Sequence, residues 1–359
     1  MELFKAHKQW ATRPADERFA SLEDLYAATR GYAGTAVEAD VDWADLRVIP
    51  SGEELMLRGD EGDQATLTNW AMKQLCARVG APSDYLAKLP VELAAQNLNH
   101  GLDSRDQNPS TQASLLLHRN GTYLVRAVTS DRYSRIWNHE VAERLLNLAQ
   151  LGWEPARPDV RASMGDWPAL YASDHDMFAM LRSQNASLDV NPDGEAPTWR
   201  GVIAENSEVG AGALKLTRFL YNQMCGNHII WGASDVLELK VIHVGNLQER
   251  VDRWEVALKA YENESASEVE AIIKRAQVTL IADTKEGVLD KLFGIRALNI
   301  PRKTLGLGFD AVNAAQDGDP RSVWGMVQGL TRHSQTIPFA DERTKLDRAA
   351  GRILEKVKF

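Results

Sequence analysis

The stretch SLLLHRNGTYLVRAV, residues 114–128, decides the fold class. Two apolar runs flank Asn120–Gly121, the dipeptide that a two-residue type I′ hairpin demands because both central residues sit at positive φ. The expected register pairs Arg119 with Thr122, Leu117 with Leu124 and Leu115 with Arg126, and sets Leu116 and Val125 on the opposite face. Apolar residues on both faces place the hairpin inside a sheet covered on both sides. Residues 200–243 alternate apolar and polar side chains in short runs broken by Gly, Asn and Asp. They read as three or four more strands of the same antiparallel sheet.

Helices surround these strands. In LTNWAMKQLCARVG, Thr68 can cap, Leu67, Ala71, Leu75 and Val79 recur on one face, and Gly80 can take the left-handed stop. A second helix opens at Pro90 and closes near Gly101, with Leu93, Ala94 and Leu98 inward. A third has Asn138 as cap, Val141, Leu145 and Leu148 inward, and Gly152 as stop. The passage from there to Pro197 reads as irregular. From Asn246 the apolar steps are helical through Leu247, Val251, Trp254, Leu258 and Tyr261, and further helices start near Ser267, Asp283, Asp319–Pro320 and Asp341. PRKTLGLGF, residues 301–309, reads as a glycine-bearing connection. The expectation is therefore an α+β fold, mainly an antiparallel sheet with a tight hairpin, covered by helices and ending in a helical C-terminal third. Its parts are an acidic segment 1–66, an α+β core 67–245, and a mainly helical region 246–359 packed on that core.

Composition narrows the function classes. The chain has 359 residues, 44% hydrophobic and 25% charged, which are ordinary globular proportions. No apolar run approaches the ~18–20 residues of a membrane span, and Cys76 and Cys225 are too few for an extracellular disulfide scaffold. A cytoplasmic protein with no membrane partner is expected. The net charge of −9 is concentrated at the start, since residues 1–66 carry 7 Lys/Arg against 14 Asp/Glu. The global acidity is thus a poor argument against a polyanion partner for the rest.

Two groups of residues could carry chemistry. Asn206-Ser207-Glu208-Val209-Gly210 and Cys225-Gly226-Asn227-His228 are polar turns about a strand apart. If they converge at one sheet end, Glu208, Cys225 and His228 become weak catalytic candidates, and alanine at Glu208 and His228 should then abolish activity while leaving thermal stability nearly intact. The plain alternative is that these residues build bends. Glu208, Cys225, His228 and His243 have the donor atoms of a zinc site but no motif spacing, so no metal and no cofactor is assigned. No P-loop or GxSxG elbow occurs. The second group is Arg126, Arg132, Tyr133, Arg135 and Trp137, joined by Lys215 and Arg218. Cations beside aromatics are what a single-stranded nucleic-acid groove needs, for phosphates and for stacking bases respectively. The same residues also fit surface charges and core aromatics.

LTNWAMKQLCARVGAPSDYLAKLP, AQNLNHGL, YLVRAVTSDRYSRIWNHEV, ENSEVGAGALKL, FLYNQMCGNHIIWG and SVWGMVQGLTRH follow one another from Leu67 to the closing helix. In that order they resemble the landmarks of the domain-of-unknown-function family 932, also described as phage/plasmid-like proteins. Asn227-His228 departs from the pattern, in which a small residue follows the Asn, and residues 1–66 lie outside the resemblance. The resemblance implies carriage on phages and plasmids and a task in the handling, copying or defence of mobile DNA, with no known reaction. Three functions follow as expectations. The first is single-stranded nucleic-acid binding or annealing without covalent chemistry, a task open to a homo-oligomer. The second is an enzyme acting on nucleic acid or nucleotides at the two turns. The third is an inhibitor of a host defence system, with the acidic segment mimicking nucleic acid.

Overall fold

The computed structural model describes residues 15–59, 62–104, 112–120, 122–156, 169–190, 198–222, 227–229, 256–315 and 318–357. Strand β1 (Glu17–Arg18) and helix α1 (Leu22–Gly34) come first. They are followed by β2 (Ala36–Asp42), β3 (Arg47–Ser51), β4 (Glu54–Arg58), β5 (Gln64–Leu67), α2 (Asn69–Arg78), α3 (Ser83–Leu86) and α4 (Val91–Asp103). The hairpin β6 (Gln112–Asn120) and β7 (Thr122–Ser130) leads through α5 (Asn138–Ala149) to β8 (Trp153–Pro155), β9 (Leu170–Ala172), β10 (Met177–Leu188), β11 (Thr198–Asn206), β12 (Lys215–Asn222) and β13 (Asn227–Ile229). Helices α6 (Ser267–Val278), α7 (Lys285–Gly294), α8 (Arg302–Ala315), α9 (Val323–Ser334) and α10 (Ala340–Lys356) end the chain. The fold is α+β with a helical C-terminal third, and every strand pair but β5–β7 is antiparallel.

The strands build two sheets, and the expected single sheet is corrected. Sheet I runs β2-β6-β7-β5-β4-β3, and sheet II runs β1-β9-β10-β11-β12-β13 with β8 also on β10. Residues 112–128 are therefore in one sheet and the described strands of 200–243 in the other. The reason lies in the opening segment. β2 takes the free side of β6, and β5 takes the free side of β7, so the hairpin has no ladder left to offer β11. Between Ala36 and Leu67 the acidic opening segment supplies β2, β3, β4 and β5 of sheet I.

The hairpin register also differs. Arg119 pairs with Tyr123, His118 with Leu124 and Leu117 with Val125, after which Leu116 pairs with Ala127. Arg126 is the extra residue of a β-bulge, a device that bends the strand and re-aims a side chain. Gly121 lies outside the described residues.

Local signals in the sequence do place the helices that cover the sheets. The Thr68 hydroxyl accepts from the Ala71 N–H at 3.1 Å, and Gly80 has φ of 72° just past the end of α2. Leu75 and Leu98, from α2 and α4, share a core with Leu55, Leu57 and Val125 of sheet I. Leu93, expected inward, is exposed. Gly101 does not end its helix; a Cβ there would lie 2.6 Å from the Val79 Cβ, so it permits α4 to approach the end of α2. Leu25 of α1 and Leu145 of α5 cover one face of sheet II at Met177, Leu181 and Val202, and Ala340 of α10 reaches the other face beside Phe178 and Phe219.

Two further stretches differ from expectation. The passage after Gly152 contains β10, whose MFAMLRSQNASL is an apolar run followed by a polar one, with a register shift between Arg182 and Ser187 instead of steady alternation. PRKTLGLGF lies almost wholly within α8, because Gly308 faces Gly329 of α9 at backbone contact distance. Tertiary packing there overrides the low helix propensity of glycine. No described helix is long and apolar enough to cross a membrane.

Candidate functional site

The polar turn Asn206–Gly210 is the latch between the sheets. β11 delivers it beside the start of β10, where Asn206 pairs with Met177. The Glu208 carboxylate accepts from Arg126 Nη1 at 2.7 Å with one oxygen and from the Asn138 backbone N–H at 3.1 Å with the other. The bulge in β7 is what turns Arg126 toward it. Glu208 thus satisfies the first N–H of α5 and complements the positive end of that helix. Asn138, expected as the cap, is instead the first helical residue, and its side-chain oxygen accepts from Asn206 Nδ2 at 2.8 Å.

The backbone of the latch is held equally firmly. Arg135 donates to the Glu208 carbonyl and, through Nε, to Glu38 of β2 at 2.5 Å. Trp70 Nε1 and Gln74 Nε2, both on α2, donate to the Val209 carbonyl at 3.0 and 2.8 Å. Tyr133 donates to the Ser207 carbonyl at 3.0 Å, and Ser207 Oγ donates to the His175 carbonyl at 2.5 Å. Val209 packs with Leu116 and Ala127 of sheet I. Gly210 ends the latch at φ of 80°, which only glycine adopts without strain. Trp70, Gln74, His175 and Glu38 were not singled out in the sequence, and their long separation from the latch left no local signal there.

The structure merges four of the seven expected nucleic-acid residues, Arg126, Tyr133, Arg135 and Trp137, with the expected catalytic Glu208. Side-chain exposure is 9% for Arg126 and 3% for Glu208 in their pair, and 3% for Arg135. The Arg135 guanidinium lies 5.4 Å from the Tyr133 ring centre and 5.7 Å from that of Trp137, so those aromatics already serve a cation. Arg132 is exposed and Lys215 half-buried. Arg218 pairs with Glu264 at 2.8 Å and sits 4.5 Å above the Tyr261 ring. Being three residues apart on β12, Lys215 and Arg218 point to opposite faces. These cations line no single groove.

The second polar turn does not join the first. Thr198 pairs with Asn222, and Asn222 with Asn227, whereas Glu205 pairs with Lys215. Asn227 and His228 are therefore at the other end of sheet II from Asn206, and the expected convergence is corrected. One strand separates the two turns, and in an antiparallel meander one strand always carries the chain to the opposite end. Cys225 and His243 lie outside the described residues, and His228 is placed only as a β13 residue paired with Tyr221. Cys76 is buried, and burial pushes its thiol pKa up to about 12, far from a nucleophile's range.

Behind the latch, α10 adds a second buried polar layer. Arg348 pairs with Glu205 and donates to Thr217 Oγ1 at 3.1 Å, and Ser334 Oγ of α9 donates to Asp347. Burial raises the Asp347 pKa well above the usual carboxylate range, against the opposing pull of Ser334, Arg343 and Arg348. The folded state then keeps a proton that the unfolded chain releases. The stability this carboxyl contributes is full below its unfolded pKa of about 3.9 and falls as pH rises toward the raised folded value. Asp347→Asn should flatten that fall and be at least as stable as the parent at neutral pH, measured by urea unfolding across pH. A variant less stable than the parent at neutral pH would show a charged Asp347 held by the two arginines.

Sheet I carries an open groove of about 560 Å³. Ala39 and Val41 of β2, Leu115 and Leu117 of β6, and Tyr123 and Val125 of β7 contribute to its lining, and Asp40, Asp42, Asp45 and Asp63 stand around it. All four carboxylates belong to exposed residues, and none has an ion-pair partner among the described residues. The alternation in AVEADVD, residues 36–42, was the available signal.

These features define a two-sheet α+β protein joined by a buried polar latch, with four carboxylates beside an open groove that have no ion-pair partner among the described residues. The model of the family described as "Domain of unknown function (DUF932)" matches residues 125–345, and the chain belongs to that family. The match runs from within β7 to the first turns of α10 and contains the latch, while most of the groove precedes it. No curated protein and no solved structure matches the chain.

Proposed function

We propose that the chain is a non-catalytic cytoplasmic protein of phage- and plasmid-borne elements that presents the acidic groove of sheet I to a cationic protein surface and so inhibits a host defence protein that handles nucleic acid. One observation supports this above the rest. Among the described residues the carboxylates around the groove have no ion-pair partner, whereas Arg126 and Arg135 are buried in their pairs with Glu208 and Glu38, and Arg218 is paired with the half-exposed Glu264. Asp40 and Asp42 point to the face of β2 away from the apolar floor, so the carboxylates form a negative rim at the sheet edge, which attracts a cationic partner at long range beside apolar area to bury against it. The single-stranded nucleic-acid reading rests on what remains, chiefly exposed Arg132 and half-buried Lys215. The enzyme reading loses the convergence of its two turns, and Glu208 is committed to Arg126 and Asn138.

Reversing the groove's charge tests the proposal. An element carrying Asp40→Lys, Asp42→Lys and Asp45→Lys together should establish itself in a defended host no better than one lacking the gene, as read by plating or transformation efficiency. These exposed sites should leave the fold intact. Full protection by the reversed variant would overturn the proposal.

A further inference from the structure

The two edges of sheet I are finished differently. At β3 the Asn99 side chain of α4 donates to the Val48 carbonyl and accepts from the Val48 N–H, both at 2.8 Å, so one amide stands in for a neighbouring strand. Pro50 also lies in β3, and removes a donor there. That edge is blunted in the way sheets avoid unwanted pairing. Among the described residues nothing covers β2 in this way. Beyond its ladder with β6, no backbone hydrogen bond reaches residues 36–42 among the described residues. Val37, whose side chain borders the groove, is 42% exposed.

We propose, resting on the reading of the groove as a docking surface, that the partner docks as a β-strand added to the free edge of β2. The groove-side row of β2 is Val37, Ala39 and Val41, and the opposite row is Glu38, Asp40 and Asp42. An added strand with period-two alternation sets its apolar residues beside the first row and its cations beside Asp40 and Asp42 of the second, Glu38 being held by Arg135, and its backbone completes the ladder. The occupant is therefore an extended segment alternating Lys or Arg with small apolar residues. A second copy of β2 does not fit. Antiparallel pairing of two copies sets Asp40 opposite Glu38, opposite itself or opposite Asp42, depending on register, and like charges directly opposite destabilise a ladder.

The test uses the full chain and three synthetic peptides about as long as β2. One alternates Lys and Val, one has the same composition in two blocks, and one alternates but is N-methylated at every second residue so that it cannot complete the ladder. Binding is read by fluorescence anisotropy, and the docked segment by hydrogen–deuterium exchange. The alternating peptide should bind about tenfold more tightly than either of the others and slow exchange in residues 36–42. If all three bind equally, and Asp40→Lys, Asp42→Lys and Asp45→Lys together abolish binding, the acidic groove stands and strand addition falls. If the alternating peptide binds without protecting residues 36–42, strand addition also falls. If no cationic peptide binds, both the strand mode and the groove reading fall.

Discussion

Glu208→Ala is expected to lower the unfolding free energy by about 3–5 kcal/mol, the cost of leaving a buried charge without its partner. The substitution strands Arg126 at 9% side-chain exposure and uncovers the first N–H of α5 in the same step. It also leaves a cavity where the two sheets meet. This outcome is the opposite of the near-neutral stability expected of Glu208 as a catalytic candidate, and the pairing with Arg126 is the reason. Urea unfolding gives the magnitude. Arg126→Met combined with Glu208→Leu should be much less destabilising than Glu208→Ala, because apolar isosteres of a buried pair often match it in stability. A Glu208→Ala protein within 1 kcal/mol of the parent, about the span of exposed ion pairs, would show that the pair is solvated and the latch weak.

Gly329→Ala should cost about 3 kcal/mol, at the upper end for overpacking. Its Cβ would lie 2.1 Å from the Gly308 carbonyl oxygen and 2.6 Å from Val312 Cγ2. The first obstacle is helix backbone and has no rotamer to change, so α8 and α9 must separate. Gly31→Ala is the matching control. It lies within α1, a Cβ there would meet nothing within 4 Å, and the same chemical change should stabilise by about 1 kcal/mol through helix propensity alone. Thermal unfolding of the two variants should therefore shift in opposite directions.

These two positions show where the sequence was readable. Thr68, Gly80 and Pro90 act within one turn of themselves, and each sits at a helix boundary in the structure. The hairpin strands were equally local. Which strand lies beside them was not, because alternation tells that a strand has a buried face and says nothing of its neighbour. The slip that placed Arg126 in a bulge has the same origin. It depends on the latch arriving from 82 residues away to receive the guanidinium. Gly308 looked like a loop residue because its reason, Gly329, is on another helix.

Parts of the layout of the candidate residues were open to strand arithmetic alone. Lys215 and Arg218 are an odd number of residues apart on one strand, so they cannot share a face. The turns at 206–210 and 225–228 are one strand apart, so they cannot share an end. Nothing local, by contrast, marked Trp70 or Gln74 as supports of Val209. The acidity of the first 66 residues was visible, but its position along a sheet edge required the pairing of β2 with β6.

The measurement that bears most directly on the groove is a native mobility shift of the intact protein at low salt, given a labelled single-stranded oligonucleotide in one series and a cationic Lys–Val peptide in the other. The expected result is a complex with the peptide that is lost when Asp40, Asp42 and Asp45 are changed to Asn, and no complex with the oligonucleotide. An oligonucleotide complex whose affinity falls steeply with salt, at a logarithmic slope of about −0.7 per phosphate contact, and which Arg132→Ala with Lys215→Ala weakens, would contradict it.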